Sequence, residues 1–114
     1  MLEFESAGRV QVRAGRLHLP SEVYERALPG CPALALLVRN GQWLLLPLFG
    51  GAGGLQIKIR NAQGDRVVES QEFFRSQGIE DADEPREFEL KHEPEFGGFR
   101  LLARSEIDPE GSRR

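Results

Sequence analysis

The chain has 114 residues, 39% hydrophobic and 29% charged, with a formal net charge of −3. That balance fits one globular domain, or two small repeats sharing a core, and excludes wholesale disorder. The apolar runs "ALALLV" and "WLLLPLF" are too short to span a bilayer. No charged segment precedes an apolar leader at the start, and the single Cys31 excludes an intrachain disulfide, so a reducing cytoplasm is expected.

Charge is unevenly spread. Residues 1–62 hold seven Lys/Arg against four Glu, whereas residues 63–114 hold eight basic against fourteen acidic side chains. The first half is therefore the candidate polyanion-facing half, and the second a candidate acidic surface.

From Val10 to Leu19, Val10 and Val12, then Leu17 and Leu19, alternate with Gln, Arg and His, the period of a half-buried strand. Ala14-Gly15 marks a tight bend, and Pro20 ends the second strand because it cannot donate to a ladder. Ser21 is a candidate N-cap for a short helix that places Val23, Tyr24, Ala27 and Leu28 on one face and stops at Pro29-Gly30. Ala33 to Val38 and Trp43 to Phe49 then flank Asn40-Gly41, a strong hairpin signal. Their unbroken apolar character predicts burial on both faces, in a barrel, a sandwich or a subunit interface. Pro47 is expected at an edge or a bulge.

"GGAGG" (Gly50 to Gly54) reads as a connector. It lacks the Lys-Ser/Thr pair of a phosphate loop, and a strand rather than a helix follows it. Leu55, Ile57 and Ile59 alternate as a strand, "NAQGD" turns, and Arg66 to Glu69 returns. Ser70 is a second N-cap candidate, before a short helix with Phe73, Phe74 and Gln77 that ends at Gly78. Glu80 to Glu87 is an acidic, solvated loop with no apolar surroundings to raise a carboxyl pKa. A last hairpin carries Phe88 and Leu90 on one strand and Phe99, Leu101 and Leu102 on the other, and residues 106–114 read as a disordered tail.

The same order of elements therefore occurs twice. Val10-Gln-Val-Arg13 matches Ile57-Lys-Ile-Arg60 at an offset of 47, and after two extra residues in the second turn the offset becomes 49. At that offset Gly15 matches Gly64, Leu19 matches Val68, Ser21 matches Ser70 and Tyr24 matches Phe73. This predicts an internal duplication with a first unit at 1–49, a connector at 50–54 and a second unit at 55–105.

"GRVQVRAGRLHLPSEVYERAL" followed by "ALALLVRNGQWLLLPL" resembles the swapped-hairpin domain of AbrB-type transcription factors and MazE-type antitoxins, on Gly15, Arg16, Leu17, Leu19, Pro20 and Glu22. A tandem pair of such units resembles MraZ. The resemblance implies a mainly β fold with short helices: a swapped-hairpin or cradle-loop-type barrel built from two strand-turn-strand-helix-hairpin units. It also implies DNA as a partner, a homodimer, and a role as transcriptional regulator or antitoxin. Arg16 is carried over by motif match; Arg9 and Arg13 join it as nucleic-acid-binding candidates by position. In the second unit Asp65 stands where the first has Arg16.

No enzyme, metal or cofactor reading competes. His18 lies on a strand face opposite Leu17 and Leu19, His92 adjoins a hairpin turn, and no Cys/His pair has ligand spacing. Cys31 has no basic helix start to activate it, and no nucleophile-base set is visible. The alternative from another class is a non-enzymatic accessory or assembly protein that holds a protein partner through its acidic C-terminal half.

Overall fold

The computed structural model describes residues 6–50, 53–79 and 84–103. The tail at 106–114, part of the connector and part of the acidic loop lie outside the described residues. The first half supplies β1 (Ser6–Arg13), β2 (Arg16–Leu19), α1 (Ser21–Ala27), β3 (Ala33–Arg39) and β4 (Gln42–Leu48). The second supplies β5 (Leu55–Ile59), β6 (Arg66–Val68), α2 (Gln71–Ser76), β7 (Arg86–Glu93) and β8 (Gly98–Ala103). None of these helices is long and apolar enough to cross a membrane.

The strands close into an antiparallel barrel in the order β1-β2-β6-β5-β3-β4-β8-β7. Exchanging β1 with β5, β2 with β6, β3 with β7 and β4 with β8 returns the same ring. The register obeys the same exchange. The β2–β6 rungs Leu17–Val68 and Leu19–Arg66 interchange under the 49-residue offset, and His18–Val67 maps onto itself. Gln11–His18 and Val12–Leu17 map onto Lys58–Val67 and Ile59–Arg66. On the opposite wall Leu45–Phe99 is the self-mapped rung. A pseudo-dyad therefore passes through the barrel between these two rungs.

Each long hairpin is exchanged between the halves. The β3–β4 hairpin pairs with β5 and β8, and the β7–β8 hairpin pairs with β1 and β4. The physical reason is coverage: a unit of this size buries too little apolar surface alone, and exchange gives each half a second layer. Here the ring closes within one chain. Leu17, Leu19, Leu34, Leu45, Val68, Phe74 and Leu90 are fully buried inside it.

Turn chemistry explains the hairpin ends. Ala14 and Gly15 have φ of 52° and 76°, and Asn40 and Gly41 have 54° and 76°, so both two-residue loops match the twist of their strands. Pro47 lies beyond the last rung between β4 and β8, where no amide is required.

Three expectations are corrected. First, α1 starts one residue earlier than expected: its N-cap is Pro20, and Ser21 is helical. Since α2 is capped at Ser70, the helices are offset by 50, and the fully buried Phe74, not Phe73, is the counterpart of Tyr24. The added residue is Glu69, between β6 and α2. Second, Ser70 makes no side-chain cap bond; its hydroxyl serves a neighbouring turn, as described below. Third, the β3–β4 hairpin is buried on both faces only at Ala33–Leu34 and Leu44–Leu45. Leu44 is buried, but Leu37 is 38% and Val38 45% exposed near the hairpin tip, because β3 pairs with β5 only at Ala33 and Leu34.

Candidate nucleic-acid interface

Alternation decides which side chains leave the barrel. On β1 and β2 the even-odd pattern sends Val10, Val12, Leu17 and Leu19 inward, so Arg9, Gln11, Arg13, Arg16 and His18 share the outer face. The pseudo-dyad extends that face across β6 and β5. One row runs Gln11, His18, Val67, Lys58 along register partners. Arg13 and Arg16 oppose each other at one end of the face; Asp65 and Arg60 meet at the other, where Arg60 N–H donates to Asp65 O at 2.7 Å.

The three sequence candidates share this face but differ in their commitments. Arg16 Nε lies 3.0 Å from Glu69 Oε1, and Arg9 lies 3.8 Å from Glu89. Arg13 is exposed and forms no ion pair among the described residues; its side chain bonds Gln11 at 3.5 Å. Lys58 and Arg60 are likewise exposed without an ion pair among the described residues. Sequence reasoning passed over these two cations. The signal was present, since Arg60 is the residue that aligns with Arg13.

Arg9, Arg13, Arg60 and the half-buried His18 line one groove of about 310 Å³ together with Asp65, Arg66 and Glu87. Arg16 lies outside it. Burial, then the guanidinium groups of Arg60, Arg13 and Arg16, hold His18 below the usual imidazole range, against a weaker pull from Glu69. Arg66 is not a free cation: its guanidinium stacks 3.9 Å from the Tyr24 ring centroid and its Nε donates to Gly64 O at 2.8 Å.

The acidic residues of the face serve the frame. Asp65 accepts the Ser21 N–H at 2.8 Å and bonds the Asn61 side chain at 3.1 Å. It thereby caps α1 from the other half of the chain, which Pro20 has no side-chain acceptor to do. Bonds from Asn61 and then Ser21 hold its carboxyl below the usual range. At the equivalent corner the Ser70 hydroxyl donates to Gly15 O at 2.9 Å and accepts the Leu17 N–H at 3.1 Å. Gly15 and Gly64, with φ of 76° and 90°, thus occupy matching corners, each met by the start of the opposite half's helix.

Comparison with family models, curated proteins and solved structures finds no match to this chain. Among the described residues no group of three or more His, Cys, Asp or Glu side chains is placed to hold a metal ion. Cys31 is buried, with Sγ 3.0 Å from Ala33 O.

Proposed function

We propose that the protein is a DNA-binding regulator of the AbrB type, engaging the duplex backbone through the outer face of β1, β2, β6 and β5. One observation carries this reading: the pseudo-dyad places Arg13 and Arg60, both without ion pairs among the described residues, in one groove. A duplex is itself two-fold about its groove, and cations set on either side of a dyad suit phosphates of both strands. Glu69 is paired with Arg16, and in the groove the guanidinium groups of Arg9, Arg13, Arg60 and Arg66 outnumber the carboxylates of Asp65 and Glu87.

The test is retention of a duplex at two salt concentrations. With about three to five phosphates neutralised, log affinity falls with log salt at a slope of about −2.7 to −4.5. Unchanged mobility of every duplex at low salt removes the reading.

The accessory-protein reading draws on Glu87 and Glu89, which lie across from Gln11 and Arg9 on β7. Removing the acidic half cannot test it, because β7 and β8 are staves of the barrel. Replacing Glu84, Glu87 and Glu89 with Gln tests it instead; undiminished capture of a protein partner by this variant argues against acidic docking.

A further inference from the structure

We propose that the groove at the pseudo-dyad is a phosphate-oxyanion site in which His18 takes up a proton as the anion docks. This deepens the regulator reading and rests on the same face.

The geometry is specific to His18. It sits on the self-mapped rung of β2 and β6, with Val67 beside it on β6 and Gln11 beside it on β1. Arg9 and Arg13 flank it from β1, and Arg60 from the far end of β5. The other charges around it are Arg16 on its own strand, Lys58 on β5, Arg66 on β6, Asp65 and Glu69 at the two ends of β6, and Glu87 on β7. Glu69 is paired with Arg16, and in the groove itself four guanidinium groups, those of Arg9, Arg13, Arg60 and Arg66, face two carboxylates, Asp65 and Glu87, so an incoming anion meets mainly the cations.

The proton linkage follows from this surround. In the free protein partial burial, and then three guanidinium groups, disfavour the imidazolium. A phosphate between Arg13 and Arg60 offsets their field and accepts a hydrogen bond from the protonated ring. The imidazole pKa therefore rises on binding, and binding gains affinity as pH falls through the range between the free and bound values. Above the bound value the gain disappears. His92, the other histidine, pairs with Phe99 on the β7–β8 hairpin, with ring centroids 5.4 Å apart, and lines a different pocket.

The experiment has two arms on the full chain at constant ionic strength. In the first, proton NMR follows the two imidazoles as inorganic phosphate replaces chloride, with His92→Gln assigning the signals. The His18 midpoint rises by about half a unit or more; an unmoved midpoint overturns the proposal. In the second arm, duplex affinity rises about fivefold between about pH 7.5 and about pH 5.5 in the wild type and in His92→Gln, and stays flat in His18→Gln. An equal rise in His18→Gln also overturns it. If phosphate moves His18 but no duplex is retained at either pH, the oxyanion site stands and the regulator reading falls. Free phosphate and a duplex backbone are thereby distinguished as sources of the anion.

Discussion

The two halves share a backbone plan and differ in how they use it. In the first half α1 sits directly on β1, because Gly8 leaves room for it. A Cβ there would lie 2.6 Å from Val23 Cγ2, and Gly8 has a φ of 131°. Arg26 secures the contact by donating to Ala7 O at 2.7 Å. The counterpart of Gly8 in the second half is Leu55, and between it and Phe73 of α2 runs a groove of about 580 Å³. The seams differ in the same sense: β1 and β7 share pairs from Ser6–Lys91 to Val12–Arg86, whereas β3 and β5 share only Ala33–Gln56 and Leu34–Leu55. Anchoring of the helices diverges too. Tyr24 of α1 bonds Cys31 O at 2.8 Å, while Phe74 of α2 stacks edge-on against Trp43 at 5.6 Å between centroids. Register preserves the dyad, and the side chains around it have been free to take separate roles.

Several substitutions break or sharpen this contrast. The largest effect is expected from Gly8→Ala, which meets both the Val23 side chain and a backbone conformation that L residues rarely adopt; a loss of about 2–4 kcal/mol in urea unfolding is expected. Leu55→Ala, at the equivalent place in the loosely seamed half, costs about 1 kcal/mol because Leu55 is only partly buried. Ser70→Ala leaves the Leu17 N–H and the Gly15 carbonyl without their buried partner, at a cost of about 1–3 kcal/mol.

Asp65→Ala is expected to lower the urea midpoint near neutral pH by less than Ser70→Ala does. Because the folded carboxyl titrates below its unfolded value, its stabilisation is present above the unfolded pKa and lost as pH falls through the folded one. The gap between wild type and Asp65→Ala therefore closes in acid; a gap that persists there contradicts the capping role. The smallest effect is a gain: Ala14→Asn makes the first turn match Asn40-Gly41 and relieves a non-glycine φ of 52°, raising stability by about 0.5–1 kcal/mol in the same assay.

Much of the fold is legible locally. Alternation located the strands, and the two pairs of turn residues with positive φ located the short hairpins, because both properties belong to neighbouring residues. Features that join distant residues were not legible. The Ser21 N–H is capped by Asp65, 44 residues away, so helix phase read from the nearest serine is one residue late. Apolar runs report that a strand is buried but not how far along its length, which is why Leu37 and Val38 were expected inside. The site divided in the same way. Arg9, Arg13 and Arg16 were visible from their motif and neighbourhood, whereas Lys58 and Arg60 join them only through a dyad that the register makes evident. Nor does a sequence show that Arg16 faces Glu69 or that Arg66 is drawn onto the Tyr24 ring.

The central claim is that cations from both halves form one anion-binding face, and the salt dependence of duplex binding by Arg13→Ala and Arg60→Ala tests it most directly. Each variant should flatten the log-affinity against log-salt slope by about one unit. A wild-type slope in Arg60→Ala beside a flattened one in Arg13→Ala would show that the first half binds alone and contradict the account.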